Sequence, residues 1–387
     1  MIQLCEKNEC TGCGACFNIC PKHAIQMKPS NEGFLYPVID HEKCIECKLC
    51  RKACHIITPV KVNARATNPL AVLAKSEEIR EQSSSGGMFS ILAMKVLAEG
   101  GVVFGAGYGD NYQLFHQKIE KESDLSILRG SKYFQSDIKE TYKEVKTFLK
   151  NKRLVLYTGT PCQIAGLYAY LGNCNIEGLY TIDIVCHGVP SAKSFQAYLD
   201  FLVKKNMCSL NDIKDFSFRD LKGWGYSPMY HIPSKDVSVK ESPSKNIFMI
   251  LFLNSFLSRE CCFYCKYTNT KRVGDITLAD YWGIGTEKPF NYDTAKGCSL
   301  VLLNSPKGHD LFESVSERLY YDVREWKEAL AFNHQLIMPS KRPKNRGQVY
   351  NYLDNHTFVE TYNHFINTPY LRARRVIGNI LRILHFR

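Results

Sequence analysis

No stretch of this sequence stays apolar for the ~20 residues that a bilayer span requires; the longest run, residues 247–253, falls far short. Basic runs interleaved with aromatics, the footprint of a nucleic-acid surface, are also missing, so the formal net charge of +12 does not point to nucleic acid. No signal peptide is expected either, since the sequence runs almost at once into closely spaced cysteines. Without one, the 17 cysteines do not read as the disulfide framework of a secreted protein. A reducing compartment, the cytoplasm, is expected, and the length leaves room for a small module followed by a body of one or two domains.

The cysteines carry the first positive signal. Cys10, Cys13, Cys16 and Cys20 are followed by Cys44, Cys47, Cys50 and Cys54, two copies of C-x-x-C-x-x-C-x-x-x-C. Three thiolates within seven residues wrap the backbone around one cuboidal cluster, and the fourth is placed to reach the cluster of the other copy. The spacing predicts two 4Fe-4S centres with crosswise ligation: Cys10, Cys13, Cys16 and Cys54 on one, and Cys44, Cys47, Cys50 and Cys20 on the other. Zinc is the alternative, but zinc knuckles use cysteine pairs closed by a distant second pair. Each oxidised core with four thiolates carries about −2, which offsets part of the basic charge. Pro21 completes the pattern of a bacterial two-cluster ferredoxin module, which residues 1–58 resemble; His55 stands where a proline is usual. Residues 34, 36 and 38 alternate as a short strand does.

Residues 59–69 lose periodicity and read as a linker. A strand is expected at 70–74, then Ser83-Ser84-Ser85-Gly86-Gly87 opening an apolar helix over 88–98, then a strand at 101–106. A serine and glycine loop at a helix start offers free N–H groups and hydroxyls to a phosphate, or caps the helix and nothing more. Gly130, Ser131, Lys132 and Tyr133 lie in a polar loop before a helix carrying Ile138, Tyr142, Val145, Phe148 and Leu149. This loop suits a ligand's phosphate and ring, or a solvated turn. A strand at 154–157 runs into Thr158, Thr160 and Cys162, with Cys162 in the first turn of a helix ending at 171, where the dipole is expected to lower the thiol pKa. The strand at 180–185 ends in Cys186 and His187. Residues 205–245 read as an excursion with one strand at 215–219, and a helix over 246–257 delivers Cys261, Cys262 and Cys265. Cys162, Cys186, Cys262 and Cys265 are enough thiolates for a third cluster; buried free cysteines and a zinc site are the alternatives. Cys5, Cys174, Cys208, Cys261 and Cys298 are left as packing residues.

The series SSSGGMF, RGSKYFQS, GTPCQIAGL, DIVCHGVPS, CCFYCKY and VGDITLADYWGI, in this order, resembles the family of coenzyme F-420 hydrogenase/dehydrogenase beta subunits. The resemblance implies an α/β body, a mixed sheet with flanking helices that binds FAD, preceded here by the small α+β ferredoxin-like domain. It implies a flavin-binding part over 70–150, a second part with the third cluster over 151–335, and a C-terminal extension over 336–387. It also implies cluster ligation by Cys162, Cys186, Cys262 and Cys265, with the doubled cysteine at 261 leaving two choices for one ligand. Ser85, Gly86, Gly87, Gly130, Ser131, Lys132 and Tyr133, with Thr158 and Thr160, correspond to its flavin loops.

Iron-sulfur clusters move one electron at a time, hydride donors give two, and a flavin can do both. The expectation is therefore an iron-sulfur flavoprotein oxidoreductase acting on an organic substrate or a deazaflavin, with Lys132 neutralising the cofactor's anion. His187 either protonates product or is a packing histidine; Asp280, Tyr281 and Trp282 wall the cofactor or fill core. The competing reading is a non-catalytic electron-transfer subunit serving a redox partner protein, and many bacterial members of this family occur with surface-polysaccharide machinery. In the tail, Arg372, Arg375 and Arg382 oppose Val376, Ile377, Ile380, Leu381 and Leu384, a basic amphipathic helix suited to peripheral membrane contact or to packing on the body.

Overall fold

The computed structural model describes residues 2–219 and 224–367, and the expected tail helix lies outside them. The first unit pairs two short helices, α1 (Ala15–Ile19) and α2 (Leu49–Lys52), with an antiparallel hairpin of β1 (Ile25–Pro29) and β2 (Leu35–Ile39). Backbone conformation repeats within it. Gly12 and Gly14, flanking Cys13, hold φ of 68° and 71°; Glu46 and Lys48, flanking Cys47, hold 51° and 63°. Left-handed residues on both sides of the middle cysteine turn each loop inward, and the second copy does so without glycine, at a steric cost.

The strands of the body are β3 (Leu70–Ala74), β4 (Val102–Tyr108), β5 (Leu114–Ile119), β6 (Val155–Gly159) and β7 (Leu179–Ile184), then β8 (Lys214–Ser217), β9 (Met229–Ile232) and β10 (Val237–Lys240), then β11 (Ile276–Asp280), β12 (Ser299–Leu303) and β13 (Leu319–Val323). Eight form one sheet in the order β13-β3-β12-β11-β7-β6-β4-β5, parallel from β11 through β4 and antiparallel at both flanks. Strand β3 is buried along its whole length, as an apolar run covered on both faces must be.

One face is covered by α4 (Met88–Ala98), which follows the short α3 (Glu77–Glu81); the other is covered by α5 (Thr141–Lys150) and α6 (Pro161–Leu171). Helix α5 begins at Thr141, so Ile138 precedes it rather than riding on it. The excursion at 205–245 holds three short antiparallel strands, β8 to β10, where one was expected at 215–219. Asp215 sits at φ 52°, and Phe218 and Arg219 fall beyond the strand end, which that periodicity did not reveal. This small sheet joins α7 (Ala192–Asn206), α8 (Ile247–Leu253), α11 (Arg346–Leu353) and α12 (Phe358–Phe365) around an aromatic core that includes Phe195, Tyr198, Phe216 and Phe248. Helix α8 stops at Leu253, four residues before the expected end, because Asn254 turns its side-chain amide back onto the Ile250 carbonyl and Ser255 takes φ 62°. Helix α9 (Pro306–Glu313) packs on β12, and α10 (Trp326–Phe332) packs on β3 and β12.

Asp183 on β7 closes the centre of the sheet. Its carboxylate accepts from Arg272 Nε and Nη2, from Thr277 Oγ1 at 2.6 Å, and from the backbone N–H groups of Val273 and Gly274. Both ionic partners are fully buried. Asp183→Asn keeps the volume and leaves the Arg272 charge unpaired; a loss of about 3–5 kcal/mol is expected, read as a lower thermal unfolding midpoint.

The first unit is tied to the body at several points. Arg346 grips Glu32 with two 2.8 Å bonds, Asn18 donates to the Lys139 carbonyl at 2.8 Å, and Gln135 donates to the Thr11 carbonyl at 2.9 Å. His55 is buried between Thr11 Oγ1 at 3.1 Å and Tyr267 Oη at 2.7 Å, and burial pushes its pKa down to about 4, so it bridges the two parts as a neutral ring. Residues 59–69 run along the body: Asn63 pairs with the Arg272, Val273 and Gly274 carbonyls, and Trp326 donates to the Ala66 and Thr67 carbonyls.

Candidate functional site

The structure brings the twelve singled-out cysteines together in three groups, each around its own cavity. Cys10, Cys13, Cys16 and Cys54 line one, and Cys20, Cys44, Cys47 and Cys50 line another. The fourth cysteine of each copy thus faces the first three of the other. Cys162, Cys186, Cys262 and Cys265 line the third, together with Cys261. Among the described residues no three cysteine, histidine or carboxylate side chains converge as a single metal ion would need. A cuboidal core takes each thiolate on a separate corner, and these spread cysteine sets suit it.

The third group is assembled from three elements. Cys162 lies in the first turn of α6, which is opened by a capping box of Thr160 and Gln163 and by Pro161. Cys186 follows β7, and Cys262 sits in the turn Glu260–Tyr264. Burial pushes Cys162 well up and Cys186 up to about 12. The helix dipole was expected to lower Cys162, but burial outweighs it; among the four, Cys262 is the one lowered, by its hydrogen bond with Cys261. Cys261 touches the Cys262 thiol rather than packing elsewhere. Cys298 is fully buried in the sheet core, as expected of a packing residue.

Beside this group, at the carboxyl ends of the parallel strands, lies a cavity of about 320 Å³, within the size range of small-molecule sites. Ser85, Gly87, Gly130, Ser131, Lys132, Tyr133, Thr158 and Thr160 all line it. Gly86 does not: a Cβ there would fall 2.1 Å from the Val72 carbonyl oxygen, so its lack of a side chain serves close packing on the sheet. The hydroxyls of Ser85 and Thr158 are used on the Cys298 and Phe104 carbonyls at 2.9 Å each. The Ser131 N–H donates to Ser84 Oγ at 3.0 Å, which joins the two loops.

Lys132 is the outlying group in this wall. Its Nζ donates to the Arg129 carbonyl at 2.7 Å and the Leu128 carbonyl at 3.1 Å, and among the described residues no carboxylate pairs with it. Burial pushes its pKa down to about 7. A half-buried ammonium without a counter-charge, in a cavity wall, fits an anionic ligand such as a pyrophosphate.

His116, which sequence reasoning passed over, lines the cavity, and Arg219, also passed over, braces its wall. His116 donates from Nε2 to the Thr158 carbonyl at 2.9 Å, while its Nδ1 lies 2.9 Å from Ser136 Oγ, and burial holds its pKa at about 4. Arg219 forks onto Asp280 at 2.9 and 3.0 Å and reaches Tyr133 Oη and the Ser84 carbonyl. This fixes Asp280 and Tyr133 at the cavity wall. His187, with its pKa lowered by burial, faces both this cavity and the third cysteine group. Cys162 and Cys186 are also common to the two.

Residues 152–329 match the family described as the C terminus of the coenzyme F420 hydrogenase/dehydrogenase beta subunit, and residues 9–56 match the 4Fe-4S dicluster domain. The chain is similar to the F subunit of the F(420)H(2) dehydrogenase from Methanosarcina mazei, 23% identical over 325 residues, covering 79% of this chain and 88% of that protein. An uncharacterized ferredoxin of Methanocaldococcus jannaschii is 33% identical over 51 residues, 13% of this chain and 65% of the ferredoxin. A chain of the xenon-derivatized F420-reducing NiFe hydrogenase complex from Methanosarcina barkeri aligns with a TM-score of 0.47 at 17% identity, covering 75% of this chain and 93% of its own.

Proposed function

From the premise that this chain is a coenzyme F420 hydrogenase/dehydrogenase beta-subunit-like protein with an N-terminal 4Fe-4S dicluster domain, we propose that it is an iron-sulfur flavoprotein oxidoreductase. In this reading the eight N-terminal cysteines hold two clusters, Cys162, Cys186, Cys262 and Cys265 hold a third, and the adjoining cavity holds FAD. One observation carries it: a thiol-lined cavity and a cation- and hydroxyl-lined cavity share Cys162, Cys186 and His187 as a common wall. Held there, the clusters would supply one-electron transfer and a flavin would supply hydride exchange with an organic substrate or a deazaflavin.

The residues divide the work. Cys13 packs against Gly166 of α6, the helix whose first turn carries Cys162, so one helix spans the distance from the first cysteine group to the third. Lys132 meets the cofactor's phosphate or ring anion. Tyr133, held by Arg219, closes the side of the cavity. His187 is neutral at pH 7 and is placed to accept or pass a proton at its ring.

The relative in Methanosarcina mazei is by name one part of a larger dehydrogenase, which favours a partner protein here, and the relay reading keeps the clusters while dispensing with substrate. Flavin content separates the two. Protein purified without oxygen and titrated with FAD is expected to bind it, and Lys132→Ala to weaken binding at least tenfold with iron content unchanged. Affinity should also fall as pH rises. The empty-site pKa of Lys132 is about 7 and a bound anion raises it, so binding takes up a proton; above about pH 7 the affinity drops by up to about tenfold per pH unit. Electron transfer to the partner by protein that cannot be loaded with FAD would leave the relay as the function.

A further inference from the structure

Four corners of a cuboidal cluster need four thiolates, yet five cysteines line the cavity of the first group. The fifth is Cys5. It stands outside the repeated spacing, since the second copy has no counterpart upstream of Cys44. Its position is fixed on both sides: Ile2 is buried in the small core of this unit, Arg51 donates to the Gln3 carbonyl at 2.6 Å, and the Glu6 carbonyl accepts from the N–H groups of Glu9 and Cys10 at 3.0 Å. The Cys5 thiol lines the same cavity as Cys10 and Cys54 and interacts with both of their sulfurs. Those are the ligands that arrive from the two ends of the unit, one opening the first copy and one closing the second.

We propose that Cys5 is a fifth thiol of this cluster site, donating its one S–H to the sulfur of Cys10 or of Cys54, and serving as replacement ligand when either is lost. This rests on the dicluster reading of residues 9–56. In the replacement the Cys5 S–H bond breaks, its proton passes to water, and an Fe–S bond forms at the vacated iron; no atom changes oxidation state. Hydrogen bonds to ligand sulfurs raise a cluster's potential, so the intact arrangement makes this cluster easier to reduce.

The test uses full-length protein reconstituted with iron and sulfide under anaerobic conditions. Cys54→Ala is expected to retain wild-type iron, with an altered electron paramagnetic resonance signature for one reduced cluster. The double variant Cys5→Ala/Cys54→Ala should lose about four irons, the content of one cluster. Cys16→Ala should lose the same number with Cys5 present, because Cys5 does not reach that corner. Cys5→Ala alone should keep its iron and show a lower midpoint potential for one cluster. Cys10→Ala gives a second reading of the replacement should Cys54→Ala prove insoluble. Equal iron loss in Cys54→Ala and the double variant would overturn the replacement role, and unchanged potentials in Cys5→Ala would overturn the hydrogen-bond role. A Cys16→Ala variant that loses no iron would instead refute the cluster assignment itself.

Discussion

Replacing Cys162 with alanine is expected to remove about four irons from the reconstituted protein while the N-terminal clusters stay loaded. The wild-type chain should hold about twelve, four for each of three cysteine groups. The size of the effect follows from the geometry. Cys162 is fixed by its helix start on the wall shared by two cavities, and the spare thiol of its group, Cys261, lies against Cys262 instead. A group that loses one of its four corners is left with no spare thiol placed to complete it. Wild-type iron near eight, unchanged in the variant, would show that residues 152–329 hold no cluster and that these cysteines are packing. The same variant should keep its affinity for FAD, since Cys162 only edges that cavity.

Arg259→Met is expected to lower the midpoint potentials of the clusters on either side of it by several tens of millivolts. Arg259 is fully buried. Its guanidinium donates to the Cys10 carbonyl at 2.8 Å, to Gln135 Oε1 at 2.9 Å and to the Leu35 carbonyl at 3.0 Å, and stacks on Tyr36 at 4.1 Å. Among the described residues no carboxylate pairs with it. Burial opposes its charge, but the sulfurs of Cys10 and Cys261 and the Tyr36 hydroxyl outweigh that and raise its pKa. A buried cation without a carboxylate costs several kcal/mol unless some other negative charge is near, and clusters of about −2 would supply it. Removing the cation disfavours each added electron by on the order of 2 kcal/mol at an effective dielectric near 20. Arg259→Lys keeps the charge and loses the fork, so its potentials should stay near wild type while its unfolding temperature falls. A potential that moves equally in both variants would make Arg259 a structural tie only.

How much of this was legible in the sequence depends on whether the signal was local. Strand 70–74 and the helices at 88–98 and 161–171 appear with the expected bounds because buried runs and glycine or threonine starts fix them within a few residues. The two N-terminal cysteine groups were legible because their ligand spacing is local, whereas Cys162, Cys186 and the pair Cys262 and Cys265 lie far apart in sequence and were joined through the family resemblance. The small sheet was not, since β9 and β10 are four residues each and carry polar side chains on an exposed face. Nor were the roles of His116, Arg219 and Arg259, whose partners lie tens to hundreds of residues away. Gly86 shows the converse: a loop motif that reads as ligand-binding contains a residue whose form is dictated by the strand beneath it.

Gly166 bears on how such a chain could have been put together by recombination. A Cβ at this position would sit 2.9 Å from both the Cβ and the sulfur of Cys13 and from Tyr142 Oη, so α6 meets the N-terminal unit with no room for even a methyl group. A gene fusion that exchanged residues 1–58 for another two-cluster sequence would inherit this mould. The newcomer would have to present a cysteine loop of the same height over Gly166, an acidic residue for Arg346 and an imidazole for Tyr267. Chimeras made at this boundary are therefore expected to lose their seating before they lose their clusters.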